Sequence, residues 1–234
     1  MARSSIIKDL ANGKVDTMVA LKRAKVLLSD FEDEAILNWI NYELIGYPDD
    51  VELPDYRKTR GNIFGSYYKG SMASHVTFTN ISLPLGNMPE DLQDSLLTIQ
   101  FRESVDSLYK LLEDSTTKKG QLGKIVPADL FPSLALFNQD PYMIITSARV
   151  VFDAQSIKRI FAAIENRLLD ILILLEKEFG NLDELDLDCS SKSEDDIKMI
   201  SDRIAVIIYN DMRVTIGDNN KIKDSKIASS TSDT

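Results

Sequence analysis

Histidine and cysteine, two residue types that commonly perform catalysis, occur only once each in this 234-residue sequence. His75 is the only histidine and lies in a strand-like stretch, where a structural or solvent-facing role is the ordinary interpretation. Cys189 is the only cysteine, and its acidic neighbours are expected to raise the pKa of its thiol and reduce its nucleophilicity. One histidine and one cysteine exclude both a two-histidine metal site and a zinc site built on several thiolates.

The common phosphate-binding and nucleophile motifs are absent from the sequence, which has no GxxxxGKS/T or GxGxxG loop and no GxSxG elbow. Asp183, Glu184, Asp186 and Asp188 are close enough in sequence to suggest a hard cation, but the EF-hand spacing with its central glycine is missing. A solvated, self-repelling segment is the preferred interpretation. The sequence therefore assigns no catalytic residue, no metal and no cofactor, and it favours a non-enzymatic role.

Two polar residues, Asn166 and Arg167, interrupt the most apolar part of the chain. Arg167 and Asp170 are three residues apart, so they could pair on one face of a helix. A local hydrogen-bond network is the first interpretation of these polar groups. A polar pocket for a ligand is the second.

The element that must position Arg167 is a long helix predicted over residues 154–179. Apolar residues recur there at steps of three and four, Asp153 can cap its start, and Gly180 can end it. At 1.5 Å per residue it is a rod of roughly 39 Å. A membrane span is the alternative, but only eight residues separate Arg167 from Glu176, whereas a span needs about 20 apolar residues. We therefore predict a central core helix.

The remaining pattern predicts an α+β fold that is mainly helical. Helices are expected over 4–11, 17–28 and 32–45, the last two forming an antiparallel hairpin. Strands are expected over 61–68, 74–85 and 142–152, with a bulge at Asn80. One helical region is expected from Pro89 to Leu112. The hairpin and a small β-sheet should pack on the central helix, forming one unit over residues 1–180.

The chain after residue 180 is predicted to divide into three parts. Residues 181–196 form an acidic linker, with seven acidic residues against one lysine. Residues 197–228 form a helix and a β-prone assembly tail, and residues 229–234 are expected to be disordered. A lone helix beyond a polar linker could not bury an isoleucine face unaided, so this segment should self-associate. The expected self-association residues are Ile197, Ile200, Ile204, Ile208, Val214, Ile216, Ile222 and Ile227.

Composition and charge narrow the classes of partner. A hydrophobic share of 44% with 27% charged residues is typical of globular proteins. The formal charge of −10 disfavours sequence-independent binding to nucleic acid or to an anionic membrane, both of which require a basic surface. The first ten residues lack the apolar run of a signal peptide, and with the single cysteine this predicts a cytoplasmic setting.

Three blocks in this order resemble the AbiTii domain, a family named after a component of a bacterial abortive-infection system. They are LKRAKVLLSDFEDEAILNWINYELIGYPDD with the following ELPDYR, then TNISLPLGNMPEDL, then ENRLLDILILLEKEFG, and they cover about residues 3–180. The family-like positions include Trp39, Glu43, Gly46, Tyr47, Pro54, Tyr56 and Arg57 in the first block and Arg167 in the third. We interpret them first as structural, because Gly46 can end the helix and Pro54 can stiffen the returning segment.

The resemblance implies association with antiviral defence but carries over no catalytic residue. The leading hypothesis is a non-enzymatic defence module that acts by protein–protein binding and forms a homo-oligomer through its C-terminal segment. An antitoxin-like acidic protein that masks a basic toxic effector is a second hypothesis. A metal-dependent nuclease with dispersed carboxylates is a third.

Overall fold

The computed structural model describes residues 3–31, 33–71, 73–118 and 122–209. Within these ranges the chain forms eight α-helices and six β-strands, which confirms the predicted, mainly helical α+β class. The helices are α1 (Ser5–Ala11), α2 (Thr17–Leu28), α3 (Glu34–Ile45), α4 (Glu90–Leu97), α5 (Val105–Lys118), α6 (Phe131–Phe137), α7 (Gln155–Phe179) and α8 (Glu194–Tyr209). The strands are β1 (Lys58–Arg60), β2 (Asn62–Ser71), β3 (Ser74–Ser82), β4 (Thr98–Gln100), β5 (Leu122–Ile125) and β6 (Met143–Phe152).

α2 and α3 form the predicted helical hairpin, and both begin at an aspartate cap. The Asp16 carboxylate accepts from the Val19 N–H at 2.8 Å, and the Asp33 carboxylate accepts from the Ala35 N–H at 2.9 Å. These contacts satisfy backbone donors that have no partner inside a helix. The two helices pack against each other.

α7 is the central helix, as the apolar pattern predicts, and α1, α2, α5 and α8 all pack against it. Its start is fixed by the Asp153 carboxylate, which accepts from the Gln155 N–H at 2.7 Å, and its end by Gly180 with φ of 90°. Side chains along its whole length are fully buried: Ile157, Ile160, Ile164, Leu168, Ile171, Leu172 and Leu175. Among the helices that the structure describes, none is long and apolar enough to cross a membrane.

The main sheet is antiparallel, with strand order β3-β2-β6-β5, and β1 pairs separately with β4. The predicted bulge at Asn80 is confirmed, because the β2–β3 register shifts between Gly65 and Tyr67. Asn80 has φ of 51°, and its N–H donates to the Ser66 hydroxyl at 3.1 Å. α6 packs on β6, and the buried faces of the sheet and helices join one hydrophobic core.

The single helical region predicted from Pro89 to Leu112 is wrong. The chain leaves α4 to form β4, where Ile99 pairs with Thr59 of β1, and it resumes a helix only at Val105. The Gly61 N–H also donates to the Leu97 carbonyl at 2.9 Å, which holds β1 against the end of α4. Pairing with a segment about 40 residues away overrides a local pattern that reads as helical.

The isoleucine face of α8 does not need a second chain to cover it, so the reason for expecting self-association through that face is wrong. α8 packs against α3 and α7, and Ile200, Ile204 and Ile208 are buried in the common core, with Ile197 half-buried beside them. The preceding acidic segment also reaches the core through buried Leu182 and Leu187. The tail residues of that prediction, Val214, Ile216, Ile222 and Ile227, and the predicted disorder of 229–234 lie outside the described residues.

Candidate functional site

Glu43 of α3 lies at the centre of a buried hydrogen-bond network. Its side chain is completely buried, and so is that of Arg57, with which it forms an ion pair between Nη2 and Oε2. The hydroxyls of Tyr47 and Tyr56 both donate to Glu43 Oε1, each at 2.6 Å. One guanidinium and two hydroxyl donors thus compensate the carboxylate for its lost hydration.

The other side of Arg57 is anchored by backbone carbonyls. Its Nη1 donates to the carbonyl oxygens of Phe101 at 3.2 Å and Glu103 at 2.6 Å, in the segment between β4 and α5. Its Cζ lies 5.1 Å from the centroid of the Tyr47 ring. Arg57 Nε has no hydrogen-bond partner among the described residues. The ion pair therefore connects α3 to the β4–α5 segment through the interior.

Two backbone features bring these side chains to Glu43. Gly46 ends α3 with φ of 104°, and a Cβ there would lie 3.0 Å from the Arg102 carbonyl oxygen, so glycine fits best. The Tyr47 N–H donates to that same oxygen at 2.7 Å. Pro54 precedes a 3₁₀ turn over Asp55–Arg57. This turn directs the side chains of Tyr56 and Arg57 back towards Glu43 of α3.

Arg167 of α7 makes contacts that the sequence did not indicate. Its Nε donates to the Ile208 carbonyl at 3.1 Å and its Nη1 to the Ala163 carbonyl at 3.0 Å. Its Cζ lies 4.4 Å from the centroid of the Tyr56 ring, within cation–π range. No ion pair joins Arg167 to Asp170 in the described part of the chain, so the pairing that their spacing allows does not form. Arg167 instead connects the Glu43 network to α8.

A pocket of about 420 Å³ opens beside this network, between α3, the 47–56 loop, α7 and the end of α8. We call it the aromatic pocket, because aromatic residues form much of its wall. The residues that supply its rings and its cation are Trp39, Tyr42, Tyr47, Tyr56, Tyr209 and Arg167. The volume is within the range of sites that hold a small molecule or a partner side chain.

Several polar atoms of these rings already have structural partners. The Trp39 Nε1–H donates to the Tyr56 hydroxyl at 2.8 Å, and that hydroxyl in turn donates to Glu43. The Tyr209 hydroxyl donates to the Ala35 carbonyl at 2.8 Å. These bonds fix the orientation of the rings, so the aromatic pocket is formed before any ligand enters it.

The acidic side chains at the aromatic pocket have a lysine nearby, whereas Arg167 has N–H groups without a partner among the described residues. Glu52 and Asp55 both lie near Lys58, with N–O distances of 3.9 and 3.5 Å. Arg167 has five N–H groups, and two of them donate to described residues, which leaves three. The acidic side chains therefore have a nearby cation, while Arg167 retains donors for an anionic group.

Burial raises the pKa of Tyr47 and of Tyr56 well above the ordinary tyrosine value of 10.0, and the adjacent Glu43 carboxylate raises both further. A negative phenolate beside a buried carboxylate is strongly disfavoured. Both hydroxyls therefore remain protonated donors to Glu43 throughout the physiological pH range.

We expect stability to fall as the pH rises above about 10, because the unfolded chain then releases protons that native Tyr47 and Tyr56 retain. Each retained proton lowers the free energy of unfolding by about 1.4 kcal/mol per pH unit. Urea unfolding at a series of alkaline pH values measures the slope. Tyr47→Phe should reduce the slope of the unfolding free energy against pH by the contribution of one retained proton. Tyr142→Phe, which changes an exposed ring, should leave the slope unchanged. An unchanged slope in Tyr47→Phe contradicts this assignment.

The other residues considered for chemistry lie outside this network. His75 is on exposed β3, with its ring 4.9 Å from that of Tyr68. Burial raises the pKa of the Cys189 thiol, with further contributions from Asp30 and from the neighbouring aspartates, which confirms the expected direction. In residues 3–31, 33–71, 73–118 and 122–209, no group of three or more His, Cys, Asp or Glu side chains could hold a metal ion.

The structure brings the family-like residues of both blocks together, and it adds residues that sequence reasoning missed. Tyr42 follows Trp39 by three positions on α3, so helical spacing could have placed it on the same side. Tyr209 carried no such signal, because it reaches the aromatic pocket only through the packing of α8 on α3.

The fold and the site define a mainly helical α+β protein with a preformed aromatic pocket beside a buried ion pair. The AbiTii family model matches residues 4–201, and the chain belongs to the AbiTii family. This membership associates it with abortive infection, after which the family is named. The match extends beyond the resemblance at 3–180 and includes the first half of α8. No curated protein and no solved structure matches the chain.

Proposed function

We propose that this chain is a non-enzymatic module of an antiviral, abortive-infection-type defence system, and that it acts in the cytoplasm by protein–protein binding and self-association. Membership of the AbiTii family supports the defence role. The observation that carries the binding role is the aromatic pocket, whose rings are held in place by the Glu43 network and whose cation, Arg167, keeps N–H groups available.

The chemistry of the aromatic pocket favours a partner residue that combines an apolar or aromatic body with a nearby carboxylate. Rings that are already ordered lose little conformational entropy on binding, so they serve well as contact surfaces. The available Arg167 donors can form charge-assisted hydrogen bonds with a carboxylate. The partner segment is therefore expected to present an aliphatic or aromatic side chain beside Asp, Glu or a chain terminus.

The same geometry favours binding over catalysis. The Glu43 carboxylate accepts three hydrogen bonds, which leaves it poorly placed to act as a general base. Tyr47 and Tyr56 have raised pKa values, so neither hydroxyl is suited to exchange protons near neutral pH. These ionisable groups act as structural supports for the wall of the aromatic pocket.

Phage challenge of cells that carry this gene with its genomic neighbours tests the proposal. Tyr42→Ala removes an aromatic wall, and Val51→Trp fills the aromatic pocket, so each variant should lose the protection that the wild type gives. Tyr142→Ala is the matched control, because Tyr142 is an exposed tyrosine that does not line the aromatic pocket, and it should protect fully.

Unfolding curves of the purified variants confirm that each still folds. Folded Tyr42→Ala and Val51→Trp proteins that protect as well as the wild type would exclude the aromatic pocket as the functional surface. A wild-type gene that gives no protection with its neighbours would contradict the defence role itself. Protection by the gene alone would show that no partner encoded nearby is required.

A further inference from the structure

α7 and α8 enclose a second surface, an open apolar groove of about 510 Å³ that is separate from the aromatic pocket. We call it the α7–α8 groove, and its apolar residues are Ile173, Leu174, Val206 and Ile207. Ile173 is 42% exposed and Val206 is 37% exposed, so part of this apolar surface faces solvent. These two side chains give α7 and α8 a small apolar contact surface with charged residues around it.

Charges of both signs surround the α7–α8 groove. Asp170 and Lys177 lie on α7, and Asp202 and Arg203 lie on α8. Arg203 pairs with Glu178 at 3.1 Å. Within the described residues, Asp170, Lys177 and Asp202 form no ion pair. The rim thus has two acidic and two basic residues. This mixture is not complementary to a partner surface that is strongly charged with one sign.

The order of residues on α7 is symmetric about the centre of the α7–α8 groove. Asp170, Ile173, Leu174 and Lys177 share one stripe of the helix, because steps of three, four and seven residues return to the same face. Asp170 precedes Ile173 by three positions, and Leu174 precedes Lys177 by the same interval. Leu174 is only 6% exposed, so Ile173 supplies most of the exposed apolar surface of this stripe. In an antiparallel copy of α7 centred between Ile173 and Leu174, the two Ile173 side chains lie at the centre of the contact, and each charge meets the opposite charge.

We propose that the α7–α8 groove binds a second copy of this chain in a two-fold dimer, with the two α7 helices antiparallel. A two-fold interface uses the same patch on both copies, so the patch must be complementary to itself, and the Asp170–Lys177 stripe meets that condition. The inference rests on the self-association part of the proposed function and names its surface. That surface is the outer face of α7 and α8, whereas the predicted isoleucine face is buried inside.

Charge reversal on the full chain, followed by sedimentation equilibrium, tests the dimer. Asp170→Lys places two lysines together at each end of the contact, and Lys177→Asp places two aspartates together. Each single variant should weaken the dimer about tenfold. The double variant restores opposite charges at both ends, so its affinity should return close to that of the wild type. A merely structural effect on folding would not produce this rescue.

Ile173→Glu should abolish the dimer, because it places a carboxylate in the centre of the contact. Leu136→Glu on α6 is the control, since that side chain is 76% exposed and lies outside the α7–α8 groove, and it should keep the dimer. A monomeric wild type overturns both this dimer and the self-association role and leaves the groove to another occupant. If the wild type is a dimer and the charge reversals leave its affinity unchanged, only the assignment of the dimer to the α7–α8 groove is overturned. Phage challenge of the pocket variants tests the binding role independently.

Discussion

Replacing Glu43 with glutamine is expected to lower the free energy of unfolding by about 3–5 kcal/mol. The substitution keeps the size of the side chain but removes its charge, while Arg57 stays completely buried. The carbonyls of Phe101 and Glu103 still accept from Arg57, but they cannot neutralise its charge. Tyr47 and Tyr56 also lose a carboxylate acceptor for a weaker amide oxygen. Urea unfolding followed by circular dichroism measures the loss.

Glu34→Gln is the matched control, because Glu34 is an exposed glutamate in the first turn of the same helix. It should change the free energy of unfolding by no more than about 1 kcal/mol, the contribution of an acidic residue near a helix N-terminus. Equal effects of the two substitutions would show that the buried ion pair contributes nothing special to the fold. The Glu43 variant should also weaken protection against phage, because Tyr56 and Trp39 lose the support that orients the aromatic pocket.

Replacing Ile204 with alanine is expected to cost about 2–5 kcal/mol of stability, the range for truncating an isoleucine in a packed core. Ile204 is fully buried between α8 and the helices that it packs against. The substitution removes three carbon atoms and leaves a cavity that neighbouring helices can only partly fill. Urea or thermal unfolding of the full chain measures this change.

Met199→Ala is the control for the isoleucine face, since Met199 lies on the same helix and is 58% exposed. It should change stability by no more than about 0.5 kcal/mol. The two interpretations of the isoleucine face predict different outcomes. If Ile204→Ala leaves stability unchanged but dissociates an oligomer, the face serves self-association after all. If it destabilises the fold and leaves the dimer affinity of the folded protein intact, the face is core.

The Glu43 network and the aromatic pocket share Tyr47 and Tyr56, and Tyr56 also contacts Arg167. Tyr56 donates to Glu43, accepts from Trp39, and lies under the guanidinium of Arg167. Arg167 in turn donates to the Ile208 carbonyl of α8. A partner that displaces Arg167 from Tyr56 would therefore act on the position of α8 as well as on the aromatic pocket.

The helical hairpin and α7 could be predicted from the sequence because their signals are local. Asp16 and Asp153 mark helix starts, Gly46 and Gly180 mark helix ends, and apolar steps of three and four mark the buried faces. The Asn80 bulge was also readable, because the alternation of the strand shifts there. Each of these features depends on residues that are close together in the chain.

The features that sequence reasoning missed depend on distant segments. β4 exists because Ile99 pairs with Thr59, and Arg167 contacts Tyr56 and Ile208 rather than nearby Asp170. The buried contacts of Glu43 with Tyr56 and Arg57 were not predicted, although all three residues belong to the family-like set. Periodicity gives the face of each helix, but it does not identify the element that covers that face.

The sequence by itself determined the fold class, the central helix and the hairpin, because local spacing and caps are sufficient for these. It also indicated the direction of the Cys189 pKa shift from the neighbouring aspartates, although burial in the fold is the larger cause of that shift. Only the tertiary structure decided that α8 folds back onto α3 and α7, that Glu43 and Arg57 meet in the interior, and that an aromatic pocket lies beside them. The physical reason is that an apolar face can be buried by any complementary surface of the same chain or of another. The isoleucine face of α8 is therefore amphipathic in the sequence, and it becomes core only through the packing of helices that are far apart along the chain.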